Sequence, residues 1–217
     1  MALAVFDLDD TILDGDCASL WSRRMAELDW ADGDAFVRRN DELMRAYGEG
    51  RLTMDDYMTL TLAPLAGRGV GEVGAAVAAF IDEVIEPRIR RDARAAIDAH
   101  RARGDRLLVI SASGAHLVGP IAARAGVDAF LAIDLEVDDA RYTGRTRGVM
   151  SYREGKVIRL NAWLDSARET LAGACFYSDS RNDMPLLCAV EHPHAVNPDP
   201  VLAAHARMHG WPVLEWR

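Results

Sequence analysis

Phe6-Asp7-Leu8-Asp9-Asp10-Thr11 stands at the start of the chain, directly behind the apolar run Leu3-Ala4-Val5-Phe6. The run reads as a short buried strand. Side chains alternate along a strand, so carboxylates at i and i+2, Asp7 and Asp9, point to one side as it ends. Two acids that close repel one another and shift each other's pKa. A bound cation removes the conflict, and a hard ion such as Mg²⁺ takes oxygen ligands. A polar strand-to-helix turn would use the same Asp and Thr residues. The choice between site and turn therefore rests on what the remaining chain brings to this strand end.

Outward from Thr11, Gly15 predicts a turn, and residues 17–85 read as helical. Leu20, Trp21, Met25 and Leu28 share one helical face, as do Phe36, Val37, Leu43, Met44 and Tyr47 in a segment closed by Gly48. Thr53 followed by Asp56 resembles a helix N-cap, Gly67 to Gly71 a loop, and the last helix stops before Pro87. From Arg88 the pattern alternates. Helix over 93–103, the apolar strand Arg106-Leu107-Leu108-Val109-Ile110 and helix over 114–125 come first. Strand over 130–136, a hairpin over 138–145 and a long helix over 156–168 follow. The strand Ala174-Cys175-Phe176-Tyr177, helix over 184–190, strand Ala195-Val196 and helix over 200–209 complete the chain. Such alternation predicts an α/β fold: a Rossmann-like parallel sheet with helices on both faces and a small helical insertion after the first strand. The expected division is 1–15 plus 86–217 for the core and 16–85 for the helical block.

Ligands in such sheets bind beyond the carboxyl ends of the strands, and polar residues collect there. The first strand delivers Asp7, Asp9 and Thr11. The strand ending at Ile110 delivers Ser111-Ala112-Ser113-Gly114, whose hydroxyl and free N–H groups suit a phosphate or, more plainly, cap a helix. The strand ending at Tyr177 delivers Ser178-Asp179-Ser180-Arg181-Asn182-Asp183, two acids at i and i+4 with an amide between. Lys156 sits in the first turn of a helix, where a cation is mildly disfavoured unless something anionic holds it. Together these residues match the needs of phosphate-ester hydrolysis. Acids cage a cation, a lysine and a hydroxyl hold a phosphoryl group, one carboxylate attacks and another moves the proton. Monoester hydrolysis demands rate enhancements of up to ~10²¹ because the dianion repels nucleophiles. Metal and lysine answer that repulsion.

The ordered set Asp-x-Asp-x-Thr, Ser after an apolar strand, Lys, then Asp-Ser-x-Asn-Asp resembles the haloacid dehalogenase (HAD) superfamily over the whole chain. The helical insertion is similar to the cap of its subclass IB, the phosphoserine-phosphatase-like group. The resemblance implies Asp7 as the nucleophile that becomes aspartyl-phosphate and Asp9 as general acid and then base. Ser111 and Lys156 would hold the phosphoryl group. Asp7, Asp9 (through its backbone carbonyl), Asp179 and Asp183 would surround Mg²⁺. Ala112 and Asn182 would lie on the phosphate side, and Asp16 and Trp21 are the candidate substrate contacts from the insertion. Ser111-Ala112-Ser113 departs from the usual Ser-Gly-Gly, which bears on the substrate more than on the chemistry. The implied activity is Mg²⁺-dependent hydrolysis of a small-metabolite phosphomonoester. Near relatives in the subclass act on histidinol phosphate or phosphoserine, and similarity through Ala195-Val196-Asn197-Pro198-Asp199-Pro200 leans to the first. A broad-specificity phosphatase is the alternative.

Other classes fit less well. A receiver-type phosphoacceptor uses acids, Mg²⁺ and a lysine but lacks both the acid two residues on and the helical insertion. An idle binding protein on the same fold need not keep every motif residue. Gly69-Val70-Gly71-Glu72-Val73-Gly74 matches a dinucleotide fingerprint only formally, because no strand precedes it. His205 with His209, and His192 with His194, lack the partners of a zinc site. A net charge of −9 and a pI near 5.1 are a poor match for nucleic acid or anionic membrane. Three cysteines without C-x-x-C point to free thiols in a reducing compartment. No apolar run reaches the ~18 residues of a membrane span. The expectation is a cytoplasmic enzyme, monomer or dimer, with a small-molecule partner.

Overall fold

The fold is described from a computed structural model, which covers residues 2–49, 51 and 53–217. The side chain of Tyr47 lies outside the described residues. Leu3–Phe6 (β1) is wholly buried and sits at the centre of a seven-stranded sheet. On one side come Arg106–Gly114 (β2), Ala129–Asp138 (β3) and Arg141–Arg147 (β4). On the other come Cys175–Ser178 (β5), His192–Val196 (β6) and Val213–Leu214 (β7). The order is β4-β3-β2-β1-β5-β6-β7, and every pair is parallel except the β3–β4 hairpin.

Alternation along β1 divides the core in two. Ala4 and Phe6 face one apolar cluster, whose sheet-covering helices are Arg91–Ala102 (α5) and Ala115–Ala125 (α6). Leu3 and Val5 face the other, built on Glu154–Ala167 (α7), Met184–Leu187 (α8) and Pro200–His209 (α9). A strand buried on both faces needs a continuous apolar run, which is what Leu3-Ala4-Val5-Phe6 supplies.

The segment between β1 and α5 is helical: Cys17–Glu27 (α1), Gly33–Gly48 (α2), Met54–Leu62 (α3) and Val70–Phe80 (α4). Trp21, Met25, Phe36, Tyr57, Val73 and Phe80 join its apolar faces to the first cluster. The chain leaves and re-enters the sheet layer at adjacent points. Asp14 N–H donates to the Arg88 carbonyl at 2.8 Å, and Arg90 N–H to the Ile12 carbonyl at 2.9 Å. The Arg90 guanidinium clamps both crossings, donating to the Leu13 carbonyl (3.1 Å), the Trp216 carbonyl (3.1 Å) and Asp14 Oδ1 (2.9 Å).

Several boundaries differ from expectation. β2 does not stop at Ile110 but continues through Ser111-Ala112-Ser113, regaining its pairing at Gly114 opposite Ile133 after a register irregularity. Ser111 is therefore a strand residue and not a helix cap; α6 is preceded by Gly114 without any side-chain cap. α8 ends at Leu187 instead of Val190, leaving Cys188 exposed. Gly69 caps α4, so Gly71 and Gly74 are helical and form no phosphate loop. Leu28 is the C-cap of α1 and is 38 % exposed, off the buried face assigned to it. No described helix is long and apolar enough to cross a membrane.

Candidate active site

The ends of β1, β2 and β5 meet the first turn of α7 around one cavity of about 120 Å³. Asp7 follows β1 directly, and its N–H extends the ladder to the Tyr177 carbonyl at 2.9 Å. The next residues form a wide turn, Leu8–Ile12, opened by extended Asp9 (φ −70°, ψ 136°) and left-handed Asp10 (φ 54°). Aspartate tolerates that conformation better than most residues. Thr11, fully buried, ties the turn to β5: its Oγ1 donates to Asp179 Oδ1 and accepts from Asp179 N–H, both at 3.1 Å.

Lys156 is the central cation. Its Nζ donates to Asp7 Oδ1 at 2.7 Å and to Asp183 Oδ2 at 2.8 Å, and its side chain is 3 % exposed. Burial alone would lower the ammonium's pKa, but Asp183 and Asp7 outweigh it and hold it raised. Asp183 is itself held by Ser178 Oγ at 2.7 Å. For Asp7, burial is the largest influence and lifts the carboxyl to about 6 against the pull of Lys156.

Asp9 points elsewhere. It accepts from Cys17 N–H at 2.7 Å, Ser113 Oγ at 2.8 Å and Ser111 Oγ at 3.3 Å. Burial first, then Asp16, raises it to about 7. Two acids two residues apart thus stand in different protonation environments, one against a lysine and one among hydroxyls. Burial also raises Asp179 well above the usual carboxylate range, reinforced by Asp7, Asp10 and Asp183. Asp16 caps α1, accepting from Ser19 N–H at 2.6 Å, and burial raises it too.

Asp7, Asp9, Asp16, Ala112, Lys156, Asp179, Asn182 and Asp183 all line the cavity. Ser111 and Trp21 do not. Ser111 is fully buried, accepting from Ser113 N–H at 3.0 Å, and Ser113, itself buried, takes the cavity-lining place two residues on. Trp21 is 2 % exposed and packs against Trp30 and Phe80, with ring centroids at 5.9 and 5.2 Å. It belongs to the core, where its ring also meets His116 of α6 with centroids 6.2 Å apart. Asp183, expected beside a metal, is committed to Lys156 and Ser178.

Asp10, Met44, Met54, Tyr57, Ser113, Tyr152 and Ser180 also line the cavity and were not singled out by sequence. Ser113 was readable from alternation with Ser111. Met44, Met54 and Tyr57 carried no signal beyond helical packing. Counting from the same lining, six carboxylates share one lysine. Among the described residues, no three acid, histidine or cysteine side chains form a ready-made metal cage.

The chain belongs to the haloacid dehalogenase-like hydrolase family, whose model matches residues 4–187. Within that family it is a phosphatase, a phosphoric monoester hydrolase. It is 37 % identical over 219 residues to a protein named histidinol-phosphatase from Neisseria meningitidis serogroup C (strain 8013), covering 99 % of each. It is 29 % identical to phosphoserine phosphatase SerB1 of Mycobacterium tuberculosis, covering 100 % of this chain and 71 % of the relative. Among solved structures, a Bordetella pertussis Tohama I protein of unknown function superposes with TM-score 0.92 at 40 % identity, covering 98 % and 97 % of the two chains. A phosphoserine phosphatase holding a phospho-aspartyl intermediate analogue has TM-score 0.71 at 19 % identity, covering 99 % and 92 %, and shares the fold.

Proposed function

We propose that the protein is a Mg²⁺-dependent phosphatase acting through an aspartyl-phosphate on a small phosphomonoester with a cationic, carboxylate-free alcohol, of the histidinol phosphate type. The observation that carries the substrate reading is the cavity's charge. Lys156 is its one lining cation among the described residues, and that ammonium is bonded to Asp7 and Asp183. The lining offers no second cation for a carboxylate, whereas Asp10 and Asp16 suit an ammonium, and Met44, Met54, Tyr57 and Tyr152 suit a flat or apolar group. The histidinol-phosphatase named above supports the same reading.

The donor set fits Mg²⁺ because it is all oxygen and carries more negative charge than Lys156 balances. Asp7, Asp179 and the Asp9 carbonyl are the proposed protein ligands, completed by phosphate and water, as suits an ion that keeps several waters. When bound, the ion would neutralise charge on the phosphoryl oxygens. In the first step an Asp7 oxygen bonds to phosphorus and the ester P–O bond breaks. The leaving oxygen takes the Asp9 proton. In the second step water attacks phosphorus, Asp9 takes its proton, and phosphate leaves with Asp7 restored. An Asp9 pKa of about 7 suits both duties. Ser113 and Asn182 are the proposed phosphate-side donors, and residues 16–85 the proposed cap.

The test is a panel of histidinol phosphate, phosphoserine and an aryl phosphate, assayed with Mg²⁺ and with chelator. Expected are chelator-sensitive hydrolysis and a kcat/KM for histidinol phosphate well above that for phosphoserine. Chelator-insensitive turnover would refute the metal, and a preference for phosphoserine would refute the substrate reading.

A further inference from the structure

The segment joining β4 to α7 is wound into tight turns. Tyr152 N–H donates to the Met150 carbonyl at 2.9 Å, Gly155 N–H to the Tyr152 carbonyl at 2.9 Å, and Lys156 N–H to the Arg153 carbonyl at 3.0 Å. At its crest Arg153 takes φ 49° and ψ −122°, a conformation that glycine adopts freely and arginine does not. The turn places a guanidinium at the cavity's rim. Arg153 Nε donates to Asn182 Oδ1 at 3.2 Å, and its guanidinium carbon lies 5.0 Å from the Tyr152 ring centroid. Tyr152 and Asn182 both line the cavity.

A guanidinium has donors and no acceptor, while a carboxamide has one of each edge. The Arg153 contact therefore commits the Asn182 oxygen to the arginine, which leaves the N–H₂ as the edge this cavity-lining amide offers a ligand. Without Arg153 the amide would be free to flip, and in one of its two orientations it would present an oxygen to an anionic ligand. We propose that Arg153 is a positioning residue for phosphate, acting through Asn182 by fixing the donor edge of its amide toward the phosphoryl site. This inference rests on the phosphatase reading and on Asn182 as a phosphate-side donor.

The test is a double-mutant cycle over Arg153→Ala, Asn182→Ala and the pair, with the affinity of Mg²⁺-loaded protein for inorganic phosphate measured calorimetrically and KM and kcat on an aryl phosphate. A well-aligned hydrogen bond supports an expected loss of about three- to ten-fold in phosphate affinity and in KM for either single variant, with kcat affected less. The double variant should be no more than about two-fold worse than Asn182→Ala, since both remove one interaction. Arg153→Gly accepts the backbone conformation and should lose as much as Arg153→Ala, while Arg153→Lys should recover part of the loss. Losses that multiply across the pair, an Arg153→Ala that binds phosphate as the parent does, or an Arg153→Gly with full affinity would each overturn the proposal. Should the parent protein hydrolyse no phosphate ester, the phosphatase reading fails first, and the calorimetric cycle still decides the role of Arg153.

Discussion

At the residue scale, the proposed chemistry turns on two carboxylates whose environments differ although their sequence positions barely do. Asp7 faces Lys156, and Asp9 faces Cys17, Ser111 and Ser113. On the proposed roles, an aryl phosphate scarcely needs the proton of the first step. Asp9→Asn should therefore release one equivalent of phenol in a burst and then stall, because a positioned base is worth roughly 10²–10⁴-fold. Quenched protein should carry the phosphoryl group on the peptide containing Asp7, and Asp7→Asn should show no burst. An adduct on Asp9 or Asp10 would exchange the roles. The motif spacing made Asp7, Asp9, Lys156 and Asp179 legible, because each stands where a strand ends or a helix begins. Ser111 was legible as a motif but not as a buried one. Ser111 is fully buried in β2, which runs on past Ile110, and apolar composition alone does not mark that continuation. Trp21 was misplaced for a related reason. Helical spacing fixes which residues share a face, not which neighbour that face meets.

At the element scale, two helix starts carry expected consequences. A Cβ on Gly155 would lie 2.0 Å from the Met150 carbonyl oxygen, a backbone atom with little room to retreat. Gly155→Ala should lower stability by roughly 2 kcal/mol or more and displace Lys156, costing activity beyond the stability loss. Thermal unfolding and kcat/KM together check both parts. α6 holds the second case. Both ring nitrogens of His116 are buried with no hydrogen-bond partner among the described residues, and burial holds its pKa at about 3. The folded pKa is depressed, so the unfolded chain binds the proton first as pH falls below about 6.5. The His116 contribution to stability should be full above that pH and be lost as pH drops toward 3, against the opposite trend set by the raised carboxyls of Asp7, Asp9 and Asp179. His100 and His194 are depressed too, also chiefly by burial, and add to the same slope. Urea unfolding across that range should show a shallower decline for His116→Phe than for the parent; equal slopes would place the effect elsewhere. The order of elements was legible throughout from periodicity. What periodicity missed were ends, such as α8 stopping at Leu187, where packing and not propensity decides.

At the scale of the whole molecule, charge and topology act together. Six carboxylates gather at the strand ends of a chain whose net charge is already −9. The site reaches its phosphate dianion by local means, with Lys156 at its floor and, on the present proposal, a cation beside it. Topology supplies the rest. The helical segment leaves after Leu13 and returns at Ile89, where the two crossings bridge each other and share the Arg90 clamp. Pinned ends make the segment a closed loop from the sheet's point of view, and loop length then enters the free energy only logarithmically. The helices also pack into the first apolar cluster and pair with β4, Gly67 N–H donating to the Tyr142 carbonyl at 2.8 Å and Tyr142 N–H to the Arg68 carbonyl at 2.9 Å, so an exchange has to keep those contacts as well as the two ends. A chimera carrying a relative's helices, spliced at Leu13 and Ile89, should keep this sheet and its hydrolytic chemistry. Its preference among esters should become the donor's. A chimera that retained this chain's preference would move selectivity to the strand-end loops, and with it the part of the molecule open to inheritance by recombination.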